Sequence, residues 1–111
     1  MWNGITTLNF AKIVDGMIKN NNFKTYIQHV LPKDEVSKYE LLLYFKNYFN
    51  VDVVIEESKS SNSVNRTLKT QNQDNNLKLW RDAGYKSVPT IEENIKELSE
   101  SDFTKGILNN I

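Results

Sequence analysis

The side chains in this sequence that could do chemistry are few, and their spacing excludes most reactions. His29 is the single imidazole and there is no cysteine, so a zinc site here would need carboxylates to complete its ligand set. A hydrogen-bonded structural histidine is the stronger reading. The acidic pairs Glu56-Glu57 and Glu92-Glu93 are sequence neighbours, which point in different directions on a strand or a helix and do not converge as acid and base. They read as solvated faces or helix-start charges. Gly4, Gly16, Gly84 and Gly106 are too dispersed for a P-loop or a dinucleotide fingerprint, both of which need clustered glycines opening a helix. Nor does any tyrosine have a lysine four positions on: Tyr26, Tyr39, Tyr44, Tyr48 and Tyr85 are followed there by Val30, Leu43, Tyr48, Asp52 and Pro89. No catalytic residue, metal ligand or cofactor-binding residue is assigned.

Composition narrows what remains to binding. The 14 basic and 14 acidic residues cancel, so no net field draws in phosphate backbones or anionic lipid, even though Lys33, Lys38, Lys46, Lys59, Arg66 and Lys69 lie among aromatics in places. Nucleic acid and membrane are not expected partners. The longest apolar run, Leu41 to Phe45, is far too short to span a bilayer, and Met1-Trp2-Asn3-Gly4 has none of the marks of a signal peptide. Absence of cysteine suits the cytoplasm. With 111 residues, 39% hydrophobic and 25% charged, the chain fits one small domain with a modest core.

The elements that would position these groups follow from patterning. From Thr6 to Lys19, Leu8, Phe10, Ala11, Ile13, Val14, Met17 and Ile18 recur at helical spacing, which predicts a helix with these residues on its buried face. Thr6 or Thr7 caps it, and Asn20 to Asn22 end it. Ser37-Lys38-Tyr39-Glu40 is a capping box opening a second helix, with Leu41, Leu42, Phe45 and Phe49 buried and Asn50 as its stop. The runs Tyr26 to Val30 and Val51 to Ile55 are rich in strand formers. Strand, helix, strand predicts a parallel pair with a right-handed crossover, and so an α/β fold. Glu56 to Asp74 is long and polar, the kind of segment that tends to be functional or mobile. Asp74 or Asn75 caps a short helix carrying Leu77, Trp80 and Ala83 inward, closed by Gly84 in the left-handed conformation. Pro89-Thr90-Ile91-Glu92-Glu93 opens a last helix through Ile95 and Leu98, and Ser101 to Ile111 forms a final helical turn or stays loose.

Three segments, in order, resemble the C-terminal part of extended short-chain dehydrogenases/reductases of the dTDP-4-dehydrorhamnose reductase-like branch. They are Trp2-Asn3-Gly4-Ile5-Thr6-Thr7-Leu8, then Val36-Ser37-Lys38-Tyr39-Glu40-Leu41-Leu42, then Asn65-Arg66-Thr67-Leu68 with Trp80-Arg81-Asp82-Ala83-Gly84-Tyr85. The resemblance runs from about residue 2 to residue 98, and its weight lies in the ordered set rather than in one motif. It implies a single lobe over 1–111, built on the parallel β-α-β unit and packed helices, that closes over a dTDP- or UDP-linked sugar. It also implies a Rossmann domain, absent from this chain, that brings NAD(P)H and the catalytic groups. Arg66 is the expected ligand contact, because a guanidinium can hold diphosphate oxygens bidentately; Lys38 is a second candidate and Trp2 a stacking surface. On this reading the lobe is silent alone, binds no nicotinamide cofactor, and exposes an apolar patch near Trp2, Leu8 or Ile107 and Leu108 that favours self-association. A stand-alone, non-enzymatic protein-binding or assembly module is the alternative.

Overall fold

Each helix among the described residues starts on a side chain that stands in for a missing backbone partner. A computed structural model describes residues 1–22, 28–56 and 67–101, and in it four helices follow one another: α1 (Thr7–Asn20), α2 (Lys38–Phe49), α3 (Gln73–Asp82) and α4 (Ile91–Glu100). Thr6, Ser37 and Thr90 each cap a helix through a reciprocal box with the third residue in, Asn9, Glu40 and Glu93. Asn72 caps α3 by accepting from the Asn75 amide at 3.0 Å, two residues before the expected cap. At the far ends Asn21 and Asn50 take the left-handed conformation, with φ of 50° and 58°, which asparagine tolerates better than most residues. Gly84 follows α3 with φ 106°, a value that favours glycine.

The helices pack in two pairs, α1 on α3 and α2 on α4. Ile13, Leu79 and Trp80 form the core of the first, with Tyr85 edge-on to Trp80 at 5.0 Å between ring centroids. Val36, Ile91 and Ile95 form the core of the second, packed against Trp2, Leu41, Phe45 and the aromatic flank of α2. Gly16 lets α1 come close to the end of α3: a Cβ there would lie 2.6 Å from the Asp82 carbonyl oxygen. Among the described residues no helix is long and apolar enough to cross a membrane.

The α/β architecture expected from the two strand-forming runs is not what forms. Among the described residues there is no strand, only an isolated antiparallel bridge between Trp2 and Val36. Tyr26 and Ile27, the start of the first run, lie outside the described residues, while Gln28 to Val30 and all of Val51 to Ile55 are non-strand. The parallel β-α-β unit is therefore corrected to helices joined by segments without regular structure, and the resemblance loses the architecture it implied. The physical reason is visible at Leu31. Its N–H donates to Asn76 Oδ1 (2.9 Å), and its carbonyl accepts from Asn76 Nδ2 (3.1 Å) and from the Trp80 indole N–H (2.8 Å). A side-chain amide offers one donor and one acceptor, as a neighbouring strand would, so the segment needs no ladder. Among the described residues no side chain grips Val51 to Ile55 in this way, and Val54 is 86% exposed. Strand-forming side chains need a surface to pack on, and composition alone does not supply one.

The buried face of α1 is also corrected. Asn9, Ile13 and Gly16 are its buried residues, while Phe10 and Ile18 are 61% and 63% exposed and Val14 and Ala11 face outward with them. On α2, Leu42 is exposed whereas Leu41, Phe45 and Phe49 pack on the second core. On α3, Trp80 points inward as expected, joined by Leu79, with Leu77 and Ala83 half-buried. The expected final turn after Ser101 lies outside the described residues.

If the Asn76 amide replaces a strand partner for Leu31, Asn76→Leu strands a buried N–H at near-constant volume. It should lower the unfolding free energy by about 1–3 kcal/mol, read as a lower urea midpoint with an unchanged slope. An unshifted midpoint would show that the clamp does not hold this segment.

Candidate functional site

Segments far apart in sequence meet where the chain begins. The Trp2 N–H donates to the Val36 carbonyl (2.7 Å) and the Val36 N–H to the Trp2 carbonyl (2.8 Å). Next along, Asn3 clamps Leu68 from both sides: its Nδ2 donates to the Leu68 carbonyl and its Oδ1 accepts the Leu68 N–H, each at 2.8 Å. Asn3 is buried while Leu68 is exposed, so these bonds are shielded from water on the Asn3 side. Residues 2–3, 36 and 68 are thereby fixed to one another.

A polar cleft of about 450 Å³ opens beside this junction. Asn3, Lys33, Leu68, Lys69, Thr70 and Gln73 contribute to its wall, with Asp34 and Glu35. Asp34 is already engaged, its Oδ1 accepting the Ile91 N–H at the start of α4 (2.8 Å), where the helix end favours a negative charge. Lys33 and Lys69 are exposed and make no ion pair with a described residue. The cleft thus sets Lys33 and Lys69 against the carboxylates Asp34 and Glu35 with no net charge, and adds side-chain hydroxyl and amide groups that can meet a hydroxylated ligand.

A second, apolar cleft of about 250 Å³ lies where Trp2 and Ile5 meet α2 and α4. Its wall carries no charged side chain; Trp2, Leu41, Phe45, Ile95 and Leu98 supply most of it, and Asn94 is the polar exception among buried residues. Asn94 belongs to a buried network that joins the two helix pairs. Asn9, 0% exposed, accepts from the Thr6 N–H and hydroxyl (3.0 and 2.9 Å) through Oδ1. Its Nδ2 faces Tyr85 Oη (2.8 Å), Asn94 Oδ1 (3.2 Å) and Glu97 Oε1 (3.3 Å). The Tyr85 hydroxyl donates to Glu97 Oε1 at 2.6 Å, and Lys12 closes the set through a 2.7 Å bond to Glu97 Oε2. Lys12 Nζ also sits 5.5 Å from the Tyr85 ring centroid, within cation–π range. The larger hollow over Lys12, Lys96 and Glu97 is the solvent-facing side of this network.

The residues singled out from sequence fall in different places. Trp2 lines the apolar cleft, not the polar one. Lys38 is exposed at the first position of α2 and belongs to neither wall. Arg66 lies outside the described residues. His29 is half-buried and its Nδ1 has no hydrogen-bond partner among the described residues, so that nitrogen does not bear out the hydrogen-bonded histidine expected. No group of three or more potential metal ligands occurs among the described residues. Trp2 and Leu8, near which an apolar patch was expected, are half-buried; the large apolar chains exposed among the described residues are Met1, Phe10, Val14, Ile18, Leu42, Val51, Val53, Val54 and Leu68. Ile107 and Leu108 lie outside the described residues. Sequence reasoning passed over Asn3, Asn9 and Asn94, whose roles depend on partners 65 to 88 residues away.

Burial first, and then the hydrogen bond to Glu97, hold the Tyr85 phenol well above the usual tyrosine value of 10.0. Below pH 10 the phenol is protonated in folded and unfolded chains alike, so its contribution is fully present. Above that value the unfolded chain ionises first, and the contribution is lost as pH rises through the folded value. Tyr85→Phe should cost about 1–2 kcal/mol at neutral pH and flatten the alkaline fall in stability relative to wild type, checked by urea unfolding at several pH values. Parallel curves would exclude the phenol from the network.

Comparison of the chain with protein-family models, with curated proteins and with solved structures finds no match in any of the three.

Proposed function

We propose that this chain is a substrate-binding lobe of the dTDP-4-dehydrorhamnose reductase-like kind, taking a dTDP- or UDP-linked sugar along the polar cleft beside Asn3. The observation that supports this is the convergence at the chain start: residues from all three resembling segments, Trp2 with Asn3, Val36 and Leu68, are hydrogen-bonded to one another. Lys33 and Lys69 suit a diphosphate as point charges, and Arg66, two residues before Leu68, is the guanidinium assigned to it by the resemblance. In this reading Asn3 touches no ligand. It positions the segment that does. The hydride chemistry belongs to a Rossmann domain carrying NAD(P)H, and the absence of cysteine suits a cytoplasmic enzyme.

One observation favours the second reading, a non-enzymatic protein-binding module. Phe10, Val14 and Ile18 recur every four residues along α1 and are exposed, a stripe that suits a protein surface. In the first reading a partner domain covers such surface.

Titration of isotopically labelled protein with dTDP-glucose and UDP-glucose separates the two. The lobe should bind one of them weakly, at about the millimolar level, shifting the amides of Asn3, Leu68, Lys69 and Thr70. In a protein joined to its Rossmann domain, Arg66→Ala should weaken affinity roughly ten- to a hundredfold. No shift with either nucleotide sugar, together with concentration-dependent shifts along Phe10, Val14 and Ile18, would replace the lobe by the binding module.

A further inference from the structure

We infer that Asn3-Gly4 is a self-modifying site, at which the Gly4 backbone nitrogen displaces the Asn3 side-chain amide and so unlocks the Asn3–Leu68 clamp for good. The inference does not depend on what either cleft binds. Asparagine followed by glycine is the pairing in which this reaction meets least hindrance, because glycine has no Cβ to keep its nitrogen from the preceding side chain. Asn3-Gly4 is the sole such pair in the 111 residues. The Gly4 N–H, the attacking group, has no hydrogen-bond partner among the described residues.

Two separate demands of the fold put these residues side by side. Position 3 calls for an amide, because one side chain there donates to the Leu68 carbonyl and accepts the Leu68 N–H, each at 2.8 Å. Position 4 calls for glycine, because a Cβ there would run into the Trp2 indole. The clamp fixes the first choice and the indole the second. Their adjacency makes the reactive pair a consequence of the packing.

Water is the only co-reactant. The Gly4 nitrogen gives up its proton and bonds to Asn3 Cγ, while the Cγ–Nδ2 bond breaks and the amide nitrogen departs with that proton as ammonia, leaving a cyclic imide. Water then opens the ring. Attack at Cγ yields aspartate, and attack at the main-chain carbonyl carbon yields isoaspartate, with the backbone routed through the side chain. Either product undoes the clamp. A carboxylate only accepts, so the oxygen that replaces Nδ2 faces the Leu68 carbonyl with no hydrogen between them, and isoaspartate adds a methylene to the chain beside the Trp2–Val36 bridge. The clamp is also the brake: while Leu68 holds both ends of the amide, Asn3 Cγ is not free to turn onto the Gly4 nitrogen, so reaction proceeds from the locally opened state.

The test is to keep the full chain in warm neutral buffer, sample it over time and digest each sample with trypsin. Mass spectrometry and chromatography of the peptide Met1 to Lys12 resolve asparagine, aspartate and isoaspartate at position 3. Folded wild type should form both products, roughly ten- to a hundredfold more slowly than the same chain unfolded in guanidinium, the factor set by two hydrogen bonds. Leu68→Pro removes the clamped N–H from an exposed residue and should convert about three- to tenfold faster than wild type. If that variant does not fold, the comparison of folded with unfolded wild type still decides. In aged protein the Leu68 amide resonance should move in step with the converted fraction, as it should in Asn3→Asp. Equal rates in the folded and unfolded chains, conversion confined to the unfolded chain, or a converted protein whose Leu68 amide is unmoved would overturn the inference.

Discussion

The two halves of this protein are held to one another by the buried amide of Asn9. One half packs around Ile13, Leu79 and Trp80, the other around Val36, Ile91 and Ile95. Between α1 and α4, Asn9 spends its oxygen on the cap of its own helix and its nitrogen on Tyr85, Asn94 and Glu97. An apolar residue at this position would leave the buried Asn94 Oδ1 without its donor and the Thr6 N–H without its cap, while Tyr85 and Glu97 keep their bond to each other. The geometry of α1 follows. Because Asn9 must face inward, Ile13 and Gly16 follow it at helical spacing, and the more hydrophobic Phe10, Val14 and Ile18 are left outside. A polar requirement outweighs an apolar stripe.

The same device recurs where a sheet would be expected. Asn3 grips Leu68 and Asn76 grips Leu31, each with one donated and one accepted bond to a single residue's backbone. Two bonds from one side chain match what one residue receives from a strand neighbour, and they fix only that residue rather than a row. The irregular segments are therefore positioned at points, and the two clefts open beside Asn3 and Trp2. Trp2–Val36, the one β-bridge among the described residues, lies beside both clefts.

Helix starts and stops were legible in the sequence because they are local. Ser37 with Glu40 and Thr90 with Glu93 lie three residues apart, and each box closes as expected; Asn50 and Gly84 end their helices in the left-handed region. The strands were not legible. Val51 to Ile55 has strand-forming chemistry, but pairing is a property of a partner, and the Gln28 to Leu31 segment found side chains instead. The face of α1 failed for a related reason: apolar periodicity identifies a stripe, yet Asn9 acts through residues 76 and more positions away. Of the candidate site residues, Trp2 reaches a cleft of unexpected character and Lys38 reaches none. Asn3 lay inside a quoted segment, and only its partner Leu68 reveals what it does.

Trp2 and Trp80 sit in different halves, so fluorotryptophan labelling gives one fluorine resonance from each. Following both through a urea titration of wild type and Asn9→Leu measures whether the halves unfold together. Coupling through Asn9 predicts a common midpoint in the wild type, and in the variant two midpoints that separate, with a loss of about 2–4 kcal/mol for at least one half. A variant whose two resonances still collapse together, at the wild-type urea concentration, would contradict the account.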